Sequence, residues 1–243
     1  MSCFRCFKYK AIDKYLIDTL VNSTLYFSSR ERLNDPFDSK IDIKELITSL
    51  LDRELSPDKK TTLERIKNDS KFFQRFDTGY KDFGICSFSI DLTETLMWSH
   101  YAESHRGVAL EYCFPLEFLD NPLDIVGVAP VIYERNTVSE WLLENVLLFE
   151  QDRFKFVTEL LKCVLTAKAP AWSYEKEGRI IRPKSGLFTV SRSFLKGITF
   201  GLRTSASDIS LIRSISEKYY DEIAFNKVLR AGTDFGIRVE DIS

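Results

Sequence analysis

Residues 3–10 alternate along the chain, with Phe4, Cys6, Lys8 and Lys10 on one side and Arg5, Phe7 and Tyr9 on the other, which predicts a first strand. Leu16, Ile17 and Leu20 then take up helical spacing, giving a helix over about 12–22. The run TLYFSS reads as a second short strand. Asp35 before Pro36 has the N-cap and first-turn chemistry of a helix start. Residues 43–78 carry leucine and phenylalanine at helical spacing amid many charges and predict two or three surface helices, interrupted at Ser56-Pro57-Asp58. FGICSFSI is a strand, Asp91 to Tyr101 a turn and short helix, and GVALEYCF another strand. DIVGVAPVIY supplies one or two more. A long amphipathic helical stretch occupies about 138–167, after which YEKEGRIIRP, LFTV and GITFGL are strands, Ser205 to Tyr220 is helical and IAFNKVL is extended.

Helices are inserted between strands instead of alternating with them, and no repeat, low-complexity segment or Pro/Gly-rich linker breaks the chain. The pattern predicts one α+β domain over 1–243 with a mixed, mostly antiparallel sheet, a helical insertion at 43–78 and a second helical stretch at 138–167. The chain's 243 residues suffice for a sizeable core. Lysine plus arginine, 34, nearly balances aspartate plus glutamate, 36, which excludes a globally basic nucleic-acid binder but not a local basic patch. No signal-peptide pattern and no apolar run of membrane-spanning length occurs, so a cytoplasmic protein with no membrane role is expected. The five cysteines are irregularly spaced, and Cys86, Cys113 and Cys163 sit in apolar contexts where cysteine acts as a small hydrophobe. Cys3-x-x-Cys6 has no second pair to complete a metal site, and His100 and His105 fall on different sides of a helix, so no metal site is assigned.

Four stretches carry candidate chemistry. In WSYEKEGRIIRP, an extended backbone would send Glu175, Glu177 and Arg179 from one face. A glutamate pair among hydrophobic neighbours raises its own pKa values unless a cation compensates, and Arg179 is spaced to do so. Carboxylates so placed suit chemistry on a sugar, one gripping a hydroxyl while the other stabilises positive charge at the anomeric carbon. In CSFSID, Ser87 and Ser89 share a strand face opposite Cys86, Phe88 and Ile90. LMWSHYAESHRGVALEY gathers Trp98, His100, Tyr101, His105 and Arg106 just before a strand, with Gly107 permitting a close backbone approach, and reads as a pocket wall. FSSRERLNDPFDS, around Asn34 and Asp35, has the mixture of a ligand-shaping loop.

The ordered motifs FKYK, TLYFSSRERLNDPFD, CSFS, LMWSHYAESHRGVALEY, VIY, WSYEKEGRII and GITFG, spanning about residues 7–201, resemble a bacterial family catalogued as domain of unknown function 2971. That resemblance implies a place in phage-defence or toxin–antitoxin loci, with a partner protein from such a locus. A more distant resemblance is to toxin-type ADP-ribosyltransferases, which read in order a basic first-strand residue, a Ser-x-Ser strand and a Glu-x-Glu strand. It implies a split sheet, NAD as substrate, Glu177 as catalytic carboxylate, Glu175 orienting a protein or nucleic-acid acceptor, and Ser87 supporting Glu177. It further implies a cofactor-binding set of Lys8, Tyr9, Lys10, Asn34, Asp35, Ser89, Trp98, His100, Tyr101 and Arg179, with Trp98 or Tyr101 stacking on nicotinamide. The chain departs from that pattern in having lysine on the first strand, unless Arg5 fills the role, and phenylalanine inside Ser-x-Ser. Water as nucleophile would make an NAD hydrolase. Two other classes use the same residues: a metal-dependent nuclease with Asp35, Asp38, Glu175, Glu177, Lys168 and His100 around Mg²⁺, and a non-catalytic nucleotide-binding antitoxin or sensor.

Overall fold

The computed structural model describes residues 3–232 and 235–243. Strand β1 (Cys3–Lys10) leads to helix α1 (Lys14–Asn22), whose first turn is capped by Asp13 accepting from the Tyr15 and Leu16 amides. After β2 (Thr24–Phe27) come the inserted helices α2 (Ile43–Leu51), α3 (Pro57–Asn68) and α4 (Ser70–Lys81), the first and third capped by Asp42 and Asp69. Strand β3 (Gly84–Ser89), the short α5 (Thr95–Tyr101) and β4 (Val108–Pro115) follow, then α6 (Leu116–Leu119) and β5 (Gly127–Pro130). The second helical stretch is broken into α7 (Thr137–Asn145), α8 (Leu148–Gln151) and α9 (Arg153–Thr166). The chain closes with β6 (Glu177–Arg182), β7 (Gly186–Thr189), β8 (Leu195–Phe200), α10 (Ala206–Tyr219), β9 (Ala224–Arg230) and β10 (Ile237–Asp241).

These elements form one α+β domain around an eight-stranded sheet of order β10-β9-β8-β4-β1-β3-β6-β5, with β2 and β7 in a separate two-stranded sheet. Among the described residues only β8 and β9 pair as parallel strands, so the sheet is mixed and mostly antiparallel as the pattern predicts. The ladder is uneven. β1 and β4 pair over their whole length, and β3 and β6 pair from Gly84↔Arg182 to Ser89↔Glu177, but β1 and β3 share the single position Phe7↔Ser89. The sheet therefore has two well-knit halves joined at a thin seam.

Because β-strand side chains alternate, each half offers two faces. One face packs Cys6, Phe88, Leu110, Ile180 and Ile198 against Leu16, Leu20 and Ile212 of α1 and α10. The other carries two apolar clusters with a polar strip between them. Ile85 and Ile181 pack under the inserted helices with Leu50, Leu63, Phe156 and Leu160, while Phe7, Tyr9 and Ala109 pack under α5 with Met97 and Trp98. Ser87, Ser89, Glu177 and Arg179 occupy the strip. Among the described residues, no helix is long and apolar enough to cross a membrane.

Several expectations are corrected. Asp35-Pro36 starts no helix: Asp35 accepts from the Phe37 amide in a tight turn, and Ser39 takes a left-handed φ of 57° that ends it, so the helix waits for the Asp42 cap. Cys113 is not a free apolar side chain but is joined to Cys3 in a disulfide between the neighbouring strands β1 and β4. Cys6, Cys86 and Cys163 are free and buried. TLYFSS does form a short strand, β2, in the separate sheet with β7, and Ser28 just beyond it bridges to Ile85 of β3; β10 is a strand the expectations did not include.

The expected close approach at Gly107 is tight: a Cβ there would lie 2.1 Å from the Lys10 carbonyl oxygen, and the Gly107 carbonyl itself accepts from the Gly201 amide and Thr204. Gly107→Ala should cost on the order of 3 kcal/mol, since backbone and not a flexible side chain must move. Denaturant unfolding of the variant checks this, and an unchanged midpoint would contradict it.

Candidate functional site

The polar strip is built from β3, which borders the seam, and from its well-paired neighbour β6. The register sets Ser89 opposite Glu177 and Ser87 opposite Arg179, so all four side chains leave one face. Glu175 reaches the same place by another route. Pro170 opens a 3-10 turn over Pro170–Glu175, and Lys176 adopts the left-handed region at φ 43° before β6 begins. Glu175 is therefore not a strand residue, and the expected single extended run from Glu175 to Arg179 is corrected. The two carboxylates nevertheless converge, because Lys168 bonds Glu175 Oε2 and also Glu177 Oε2, the latter at 2.9 Å.

Arg179 is the hub beneath them. Fully buried, it donates to Glu177 through Nε at 2.7 Å, to Asp38 through Nη1 at 2.9 Å and Nη2 at 2.6 Å, and to the Leu165 carbonyl at 2.6 Å. Ser39 also accepts from it, at 3.1 Å. Lys168 stands 3.6 Å from Asp38, closing a ring of three carboxylates and two cations. From the opposite wall Tyr101 donates to Glu175 at 2.5 Å and accepts from the Asn34 amide at 2.7 Å. The Tyr133 hydroxyl accepts from the Glu177 backbone amide at 2.8 Å, fixing the start of β6.

The environment separates the two glutamates. Burial opposes the charge of Glu177, yet Arg179, Lys168 and the Ser87 hydroxyl outweigh it and bring the pKa from 4.5 down to about 2. At Glu175 burial wins: hydrogen bonds from Lys168 and Tyr101 oppose it, the nearby Glu177 charge adds to it, and the pKa is raised. Burial also opposes the charge on Lys168 and Arg179, but their carboxylate partners raise both pKa values. Burial and the Glu175 bond push Tyr101 up, so it remains a donor. The surroundings thus push the proton affinities of the two carboxylates in opposite directions, Glu177 down and Glu175 up.

A cavity of about 100 Å³ opens over this cluster at the seam. Lys8, Tyr9, Asn34, Ser87, Ser89, Tyr101, Glu175 and Glu177 of the expected set line it, together with Asp38 and Lys168. Lys8 bonds the Ser87 carbonyl at 2.7 Å across the gap where β1 and β3 are unpaired. Five expected residues lie elsewhere. Lys10 turns to Thr19, and Arg179 forms the floor beneath the cavity lining. Trp98 is 0% exposed, its indole bonded to the Leu92 carbonyl and its ring edge-on to Tyr9, so it cannot stack on a guest. His100 is exposed beside the Tyr174 ring, and Asp35 faces a neighbouring cavity. Arg5, the other candidate cation, pairs with Glu111 at 2.6 Å.

His105 serves the fold. It follows Glu103 and Ser104 in three successive positive-φ residues, packs its ring on Trp98 and accepts from the Arg203 amide through its carbonyl. Sequence reading passed over Ser39, Tyr133, Phe7, Met97 and Leu33, and gave Asp38 and Lys168 to an acidic metal site. The carboxylates are instead spanned by ammonium and guanidinium, and among the described residues no three His, Cys, Asp or Glu side chains are arranged to hold a metal ion.

Arg179→Ala strands Asp38 and Glu177 in the interior and should destabilise the fold by about 3–5 kcal/mol, measured by chemical unfolding. A change near zero would mean that the cluster is solvated. The depressed Glu177 pKa carries a second expectation. Its stabilisation is complete above the ordinary 4.5 and is lost as pH falls through about 2. Wild-type protein should therefore lose stability over that window, and Glu177→Gln should flatten the loss; parallel pH profiles for the two proteins would contradict the assignment.

Residues 97–180 match the family model described as Protein of unknown function (DUF2971), a shorter span than the ordered motifs over 7–201 suggest. No curated protein and no solved structure matches the chain. Over the matched span, which holds Tyr101, Lys168, Glu175, Glu177 and Arg179 but neither Asp38 nor Ser87, the chain is similar to that family of unknown function.

Proposed function

We propose that this chain is an ADP-ribosyltransferase-like enzyme, or an NAD hydrolase, that breaks the bond between ribose and nicotinamide. The observation that carries the reading is the placement of Glu177: an ionised carboxylate at the cavity seam, held by Ser87 from the adjoining strand and by Arg179 below. The nicotinamide ribose enters the cavity between Tyr9 and Tyr101 on one side and Ser87 and Glu177 on the other. As the glycosidic bond breaks, its electron pair leaves with the neutral nicotinamide and positive charge grows on the ribose. Glu177 faces that charge without having to be deprotonated first, and its partners fix it so that little reorganisation is needed.

Three carboxylates against two cations leave the ring one negative charge in excess, which favours a cation above it. The raised pKa suits Glu175 to take the proton from the attacking hydroxyl, amine or water as the new bond to the anomeric carbon forms. Tyr101 and Lys168 aim it. Lys8, on the first strand, supplies a cation beside the cavity for the substrate's phosphates.

The reading predicts a split between two isosteric variants. Glu177→Gln should abolish nicotinamide release while leaving NAD binding nearly intact, because only the carboxylate carries charge toward the transition state. Glu175→Gln should suppress transfer to an acceptor while sparing some hydrolysis. Nicotinamide release and NAD affinity, measured on wild type and both variants, check this. Full activity in Glu177→Gln, or activity lost with EDTA, would sink the reading and favour the nuclease.

A further inference from the structure

The seam cavity poses a problem of size. At about 100 Å³ it takes one ring-sized group, whereas sites for drug-sized ligands run to roughly 300–1,000 Å³. A second cavity of about 480 Å³ adjoins it. Leu33 and Asn34 line the small one, Asp35 and Phe37 the large one, and Asp38 and Lys168 belong to both. Asp38 and Lys168, buried in the ion-pair ring, thus form the wall the two cavities share, and a ligand with one end over Glu177 would place its other end in the larger cavity by passing over that wall.

The large cavity has a specific chemistry. Ile41, Leu46 and Val138 give it an apolar wall, and Phe37, 82% exposed, stands at its rim. Asp35 is 6% exposed, yet its carboxylate meets only the Phe37 amide at 2.9 Å and, among the described residues, has no cationic partner. Its second oxygen is not an enclosed, unbonded atom: it opens on the cavity, where it can accept from a hydrogen-bond donor on a guest. Arg135, at the rim beside Glu134, likewise has no ion pair among the described residues. A flat apolar surface, a buried acceptor and a free guanidinium fit an aromatic base with an exocyclic amine, joined to a phosphate.

We infer that the second cavity binds the aminopurine nucleotide half of the substrate, with Phe37 stacked on the base, Asp35 accepting from its amino group and Arg135 paired with phosphate. The identity of the other half rests on the NAD reading above.

Calorimetry with the full chain separates the two. Wild type should bind AMP, and Phe37→Ala should weaken AMP and NAD by roughly tenfold, the scale of one base–aromatic stack, while nicotinamide mononucleotide binding stays within about twofold. IMP, which presents an oxygen where AMP has the amine, should bind wild type about tenfold more weakly than AMP. Asp35→Asn should close that gap, because an amide can donate to the oxygen as well as accept from the amine. Phe37 is exposed, so its variant should keep the wild-type melting temperature. No AMP binding by wild type, or equal AMP affinity in Phe37→Ala, overturns the assignment even if nicotinamide is released normally. The expected binding pattern without nicotinamide release leaves the nucleotide site standing and removes the NAD chemistry.

Discussion

A guanidinium with no access to solvent must find its partners inside the protein, and the geometry of this molecule follows from how Arg179 does so. Its fork reaches Asp38 from a loop, Glu177 two residues away and a carbonyl at the end of α9. Those three contacts fix the loop, the strand and the second helical stretch relative to one another. Burying such charges stabilises little in itself; removing one partner is what costs heavily. The cluster therefore specifies an arrangement more than it strengthens it, and the arrangement is two glutamates held a short distance apart in different protonation regimes.

The site lies where it does because the sheet face is divided. Inserted helices bury Ile85 and Ile181, α5 buries Phe7 and Tyr9, and neither cluster covers the strip between. Thin pairing between β1 and β3 leaves an opening at that strip instead of a closed ladder. Core packing thus frames a polar seam into which Ser87 and Glu177 project from adjacent strands, while Tyr101 and Asn34 close over it. The same features make the strip costly to bury, and fixed charges act strongly there because water is scarce.

Much of this was legible in the residues. Alternation carried β1, β3 and β6, and it correctly set Ser87 with Ser89 and Glu177 with Arg179 on common faces. It failed at Glu175, where a proline-initiated 3-10 turn and a left-handed lysine replace the strand. Pro170 is a local signal for the turn, but nothing local announces the left-handed backbone at Lys176. Asp38 and Arg179 lie 141 positions apart, so their pairing belongs to tertiary structure alone. Lys168 had a visible clue, a lysine just past the apolar run of α9, and its two glutamate partners explain why a charge persists at that buried position. The Trp98 and His105 pair read as pocket chemistry because aromatic and titratable residues attract that reading; packing at the end of α5 accounts for both.

The division between the two glutamates is the centre of the account, and carboxyl-carbon NMR titration of selectively labelled protein measures it directly. Glu177 should remain ionised until pH falls to about 2, with Glu175 titrating above the ordinary 4.5. Separate steps in that order, with the Glu177 step moving upward when Ser87 is replaced by alanine, are the predicted result. Two glutamates titrating together near 4.5 would mean that the charges are solvated and unshared, and would contradict the buried cluster and the chemistry built on it.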